Sequence, residues 1–373
     1  MHSGAAGTPS AAAGPFRLEP FHGIVLSPHR VGDPASARAF ARPYQDVPKR
    51  LARWERQGNL TRDAEPALYL HEYTSGGLTV RGLVGTLDVS RRSPDPYDRV
   101  VLPHEGVHDA QAQELATRMG EMELNPAPIL LVHRGPSRVR ALVHDVMALP
   151  PAQEFHDRGE RHNRLWAIRD PRLLADLGEH LSSARPLVAD GHHRYAAYLR
   201  LQEQRPGTSA DTGLAMLVDQ DDSPLFLGAI HRTLTQTRLA DIERAAEGLA
   251  AFAPASEAAA MAALGPTTLA VTDGKKWARL ELHLSGHRAA VEVLHDQLLP
   301  RIPGKPRPVG YHHSVEDTLD GVAERRRVAV LMPAPDFDLV DRIVSDHRLL
   351  PEKATSFQPK PSVGVLMRSL LDG

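Results

Sequence analysis

Between residues 67 and 88 the chain alternates apolar with polar residues on both sides of Ser75-Gly76-Gly77, which commits this stretch to a β-hairpin. Successive side chains of a strand face opposite ways, so residues 67–73 and 78–88 each turn one apolar face to a core. Residues 267–272 and 277–284 repeat the pattern about Asp273-Gly274. Residues 129–132 and 139–147, joined by Arg134-Gly135-Pro136-Ser137, read as a further hairpin. Residues 109–123 start acidic and hold strong helix formers, which predicts a helix. Strand 164–168, helix 171–181, strand 186–189 and helix 193–204 then alternate, before adjoining strands at 215–219 and 224–231. From 239 the chain turns alanine-rich and predicts helices at 244–252 and 256–264. It ends in helix 314–325, strand 328–332 and helix 337–346. Hairpins followed by strand–helix alternation predict an α/β (α+β) fold with a mixed sheet.

At roughly 150 residues per domain, 373 residues predict two domains. We place a disordered Pro/Gly-rich tail at 1–15, a core at 16–238, and a C-terminal α/β region at 239–373 whose end can return to the core. The absence of Cys excludes disulfides, thiolate catalysis and iron–sulfur clusters. A net charge of −2 argues against a nucleic-acid partner. No apolar run approaches the ~20 residues of a membrane span, and no charged segment leads into an apolar one at the N-terminus. No membrane partner is expected, and the expected location is cytoplasmic.

The sharpest local feature is Val188-Ala189-Asp190-Gly191-His192-His193-Arg194-Tyr195, a short apolar strand that runs through a glycine into a helix. Helix N-termini present free N–H groups and a favourable dipole to anions. Gly191 allows close backbone approach, Arg194 offers a planar fork, and His192 and His193 can donate to phosphate oxygens. Asp190 can hold a cation or a substrate amine. The bland alternative is that Asp190 merely caps the helix over half-buried histidines.

His104-Glu105-Gly106-Val107-His108 spells H-E-x-x-H, the zinc-protease pattern, which needs both histidines on one helical face. Pro103 and Gly106 oppose a helix there, so the segment reads as a loop entering the 109–123 helix and no metal is assigned. Glu105 is then a candidate base. Tyr311-His312-His313 reads as surface histidines, His231-Arg232 as a strand end, and Glu324-Arg325-Arg326-Arg327 as a solvated helix end. Lys353 and Lys360 bracket Thr355-Ser356-Phe357-Gln358-Pro359 in a segment able to close over a site.

Pro103-His104-Glu105, Asp190-Gly191-His192-His193-Arg194-Tyr195 and the 351–360 segment occur in the order seen in one bacterial family, and the chain resembles domain of unknown function 1015 over roughly residues 16–364. It departs at Arg42-Pro43-Tyr44-Gln45-Asp46-Val47, where the family runs Pro-Pro-Tyr-Asp-Val, and at Lys353-Ala354-Thr355, where Lys-Ser-Thr is usual. More distantly it is similar to the free-serine kinases of the ParB/sulfiredoxin-like superfamily. That resemblance implies a ParB/sulfiredoxin-like core, Glu105 as base, Asp190 as its acidic partner in a shared cleft, and Gly191, His192, His193 and Arg194 around the phosphates of ATP or ADP with Mg²⁺.

The resulting expectation is a nucleotide-dependent kinase acting on a small-molecule hydroxyl, that of serine or a related amino acid. A non-catalytic phospholigand-binding protein is the alternative. A ParB-like nucleotide switch would call for a helix-turn-helix and basic patches, and neither is legible.

Overall fold

The computed structural model describes residues 11–284, 286, 288–303, 309–323 and 327–372. The chain forms two units: Met1–Pro103, Val107–Leu225 and Pro359–Gly373 make the first, and His104–Gly106 with Phe226–Gln358 the second. The division thus falls at Leu225/Phe226 rather than at 238/239, and the last residues count with the first unit. Of the expected tail, residues 1–10 lie outside the described residues. Ala11–Ala12 are buried and pair antiparallel with Arg92–Ser93, so regular structure begins ahead of residue 16.

The main sheet of the first unit runs Gln153–His156, His162–Ile168, Leu68–Ser75, Leu78–Asp88, Thr212–Asp219, Ile129–His133 and Leu187–Asp190, with Leu18–Glu19 on Leu78–Asp88. Its neighbours are antiparallel except Thr212–Asp219 beside Ile129–His133, so the sheet is mixed. The Leu68–Ser75/Leu78–Asp88 hairpin turns at Gly76 and Gly77, whose positive φ of 59° and 79° glycine adopts without strain. A smaller sheet orders Leu60–Arg62, Gly23–Leu26, Met367–Ser369 and Leu124–Asn125. Helices Asp109–Met122 and His192–Gln204 pack on one another. Leu70, Leu131, Val188, Tyr195, Tyr198 and Leu217 are among the buried residues of the core.

Gly213, on Thr212–Asp219, shows how closely this core is filled. A Cβ there would stand 2.2 Å from the ring of buried Tyr198, whose hydroxyl donates to the Leu214 carbonyl at 3.1 Å. Gly213→Ala should therefore cost about 1–3 kcal/mol by overpacking. Urea denaturation checks this, and an unchanged midpoint would refute it.

The second unit carries an antiparallel sheet ordered Ala250–Ala255, Trp277–Leu282, Thr268–Thr272, Arg327–Leu331, His231–Thr235 and Val309–His312. Helices Leu239–Ala246, Glu257–Ala262, Val315–Ala323 and Phe337–Ser345 accompany it. Phe226–Gly228 pairs with Ser356–Gln358 in a separate two-stranded ladder.

The α/β class with a mixed sheet stands, and several local readings are corrected. Residues 139–147 lie in the helix Ser137–Met147: Val139, Leu142, Val143 and Val146 recur at helical spacing and are buried, so period outweighs β-branched content. Ala250–Ala255 is a strand despite its alanines, because it pairs with Trp277–Leu282 at the sheet edge, where Pro254 is tolerated. Strand 224–231 does not adjoin 215–219, since Phe226–Gly228 belongs to the second unit. His231-Arg232 opens a strand instead of ending one. Residues 324–326 of the basic helix end lie outside the described residues.

Candidate functional site

Leu187–Asp190 is the last strand of the main sheet and delivers Asp190 to the start of helix His192–Gln204. Gly191 is the N-cap, with φ +93°, a conformation that side chains with a Cβ rarely adopt. A Cβ there would also come within 3.0 Å of the Arg194 guanidinium. The positive φ is what calls for glycine between the strand and the helix.

Arg194 folds back over this turn. Its guanidinium donates to Asp190 Oδ2 at 2.6 Å, to the Pro128 carbonyl at 2.5 Å and to the Ala127 carbonyl at 3.3 Å. Lys360 Nζ donates to the other oxygen, Asp190 Oδ1. Burial works against the Asp190 charge, but Arg194, Lys360 and His192 outweigh it and hold the carboxyl below its usual range. Two fixed cations around one carboxylate leave a net positive charge beside a helix N-terminus.

The position of Lys360 is itself built. Tyr73 Oη donates to the Pro359 carbonyl at 2.7 Å and Arg161 Nη1 to the Lys360 carbonyl at 2.7 Å. Ser362 Oγ donates to Asp157 Oδ2 at 2.8 Å. Asp190, Arg194 and Lys360 all line one cavity of about 520 Å³, whose remaining wall is largely apolar.

His192 is buried, and His193 Nε2 accepts the His108 backbone N–H at 3.2 Å with the two imidazole rings stacked. Arg194 lines the cavity wall, and neither histidine is among the residues of that wall. Lys360 was legible only as one end of a lysine-bracketed segment. Its pairing with Asp190, 170 positions away, carries no local signal.

Glu105 belongs to the second unit and Asp190 to the first. The Glu105 carboxylate accepts backbone N–H bonds from Ala354 at 3.0 Å, Thr355 at 3.2 Å and Lys353 at 3.3 Å. Lys353 has φ +57°, so this turn forms an anion-holding nest. His104 is buried, with Nε2 2.6 Å from Thr355 Oγ1. Residues 104–108 are not helical, and His108 caps the Asp109–Met122 helix, so the H-E-x-x-H string lacks the shared helical face that zinc ligation needs. In the same unit Arg232 is 1% exposed and donates to the Lys353 carbonyl at 2.9 Å and to His295 Nε2 at 3.2 Å, beneath the Tyr311 ring. His312 Nε2 lies 3.1 Å from Thr233 Oγ1 and is not a free surface group.

The model of a family described as a protein of unknown function, DUF1015, matches residues 20–300. The chain belongs to the DUF1015 family. No curated protein matches this DUF1015 chain. Among solved structures it is similar to a free serine kinase in complex with AMP, at 16% identity and a TM-score of 0.40, over 71% of this chain and 89% of that one. It is also similar to a C-terminally truncated SbnI from Staphylococcus aureus, at 11% identity and a TM-score of 0.45, over 77% and 88%. A conserved hypothetical protein from Pyrococcus furiosus is similar at 17% identity and a TM-score of 0.40, over 73% and 93%. These are likenesses of chain course alone. Among the described residues no helix of this DUF1015 protein is long and apolar enough to cross a membrane.

Proposed function

We propose that this DUF1015 protein is a nucleotide-dependent phosphotransferase that phosphorylates a hydroxyl of a small molecule, serine or a related amino acid. The observation that carries this reading is the Asp190-Gly191 turn: a positive-φ glycine at a helix N-terminus, with Arg194 and Lys360 fixed on Asp190 at the wall of a cavity. Phosphoryl transfer chiefly requires positioning and neutralisation of charge, and this cluster supplies both. Lys360 is the group best placed to leave Asp190 for a phosphate oxygen, since its side chain is 45% exposed against 24% for Arg194. Gly191, His192 and His193 supply the helix terminus, and Glu105 is the expected acceptor of the hydroxyl proton. In the step itself the hydroxyl oxygen bonds to the terminal phosphorus of the nucleotide, the bond from that phosphorus to its bridging oxygen breaks so that the nucleotide leaves one phosphate shorter, and the proton passes to a carboxylate.

Mg²⁺ fits this donor set only in company with the nucleotide. Among the described residues no group of three or more His, Asp or Glu gathers to hold a metal. A single carboxylate such as Asp190, with phosphate oxygens and water completing the shell, is an ordinary magnesium environment. The cation, when bound, would offset phosphate charge.

Calorimetric titration of ADP with Mg²⁺ tests the binding half of the reading, and transfer of labelled phosphate to a panel of amino acids tests the catalytic half. Lys360→Ala should weaken ADP binding about tenfold or more, as loss of a charge-assisted hydrogen bond does. Unchanged affinity would remove Lys360 from the site. The second reading, a phospholigand-binding protein without catalysis, is favoured by one observation: the oxygens of Glu105 are held by backbone N–H groups. ADP binding without transfer to any acceptor would establish it.

A further inference from the structure

A phosphate needs cations and N–H donors, yet the cavity beside Asp190 offers mostly apolar wall. Phe40, Leu115, Met119, Met122 and Leu130 contribute to that wall, three of them from the helix Asp109–Met122 of the first unit. Asp190, Arg194 and Lys360 bond to one another, so their charge is gathered at a single place on the lining. The other cation of the wall, Arg118, lies 5.2 Å above the Tyr44 ring and bonds Glu114 at 3.1 Å. The cavity is therefore amphipathic: an apolar chamber with one cationic end.

At about 520 Å³ it falls within the range of small-molecule sites. Serine has almost no apolar surface to bury in such a chamber. A nucleobase has a broad flat one, and methionine thioethers and a phenyl ring are favourable partners for an aromatic face. We propose that this cavity receives the base and sugar of the nucleotide, with the phosphates turned to Lys360 and Arg194; the inference rests on the phosphotransferase reading. The apolar wall offers few side-chain hydrogen-bonding groups to read the edges of a base, and discrimination between bases requires such groups. ADP and GDP should thus bind within about tenfold of one another.

The test compares ADP with pyrophosphate, which has the charge and no base, by calorimetry on the full chain with Mg²⁺. The wild type should bind ADP at least tenfold more tightly than pyrophosphate. Ala37 and Ala41 line the cavity from exposed positions, so a Trp at either can fill it without entering the core. Ala37→Trp and Ala41→Trp should abolish the advantage of ADP while leaving pyrophosphate affinity within twofold, and the retained pyrophosphate binding certifies the fold. Equal binding of ADP and pyrophosphate by the wild type, or ADP affinity unchanged in both variants, overturns the cavity assignment and leaves the phosphate reading standing. Failure of the wild type to bind either ligand overturns both.

Discussion

Glu105→Gln should lower phosphoryl transfer by roughly 10²–10⁴-fold, the usual contribution of a general base, while leaving ADP affinity within about twofold. Three backbone N–H groups donate to the Glu105 oxygens. The same bonds make a structural role testable in one experiment. Glutamine keeps one oxygen for the Lys353–Thr355 turn but loses the charge, so a purely structural residue would show lower stability, by about 1–3 kcal/mol, and a proportionate loss of everything else. A fall in turnover at unchanged melting temperature and ADP affinity assigns chemistry to Glu105. Full activity, or a fall matched by loss of fold, removes it from the reaction.

Acid should destabilise the protein well before its carboxylates protonate. Burial depresses the pKa of His231 to about 4, with Arg232, His312 and His313 adding repulsion. Burial and Arg232 likewise bring His295 to about 4, and burial brings His71 to about 4 against the Asn163 hydrogen bond and Glu72. Unfolded histidines titrate near 6.5. Between about pH 6.5 and pH 4 the unfolded chain therefore binds protons that the folded chain does not, and stability falls as pH falls, by up to about 1.4 kcal/mol per pH unit for each group. Asp190 acts in the same sense, at lower pH. Held below the usual carboxylate range, it contributes stability above about pH 4 and loses it only in stronger acid. His231 and His295 belong to the second unit and His71 to the first, where burial also lowers His133, so both units should lose stability in acid. Melting temperatures at pH 7.5, 6.0 and 5.0 check this; values that stay level across the range would contradict it, and His231→Asn should flatten the slope if His231 is a source.

The hairpin at residues 67–88 was legible because alternation and paired glycines are local, and local signals survive in sequence. The Asp190-Gly191 turn was legible for the same reason. Residues 139–147 were misread because Val content resembles a strand, although their spacing is helical. Residues 250–252 read as the end of a helix, since alanine favours a helix in isolation, and only the partner Trp277–Leu282 makes the segment 250–255 a strand. The cavity wall could not be foreseen at all. Its methionines, phenylalanine and prolines look like core residues until distant segments leave a space between them, and Lys360 gains meaning only when it meets Asp190.

The strand Met367–Ser369 sits between Gly23–Leu26 and Leu124–Asn125, and so joins segments from the beginning and the end of the chain. During synthesis the two outer strands leave the ribosome long before their centre exists, and the intervening second unit must be made first. A nascent chain halted before Pro359 has two strand edges open, which invite mispairing with other chains. It also holds Asp190 beside Arg194 without Lys360. Assembly of the charged cluster thereby waits on synthesis of residues 359–369, and nascent chains that have not reached them should be client species for chaperones and proteases.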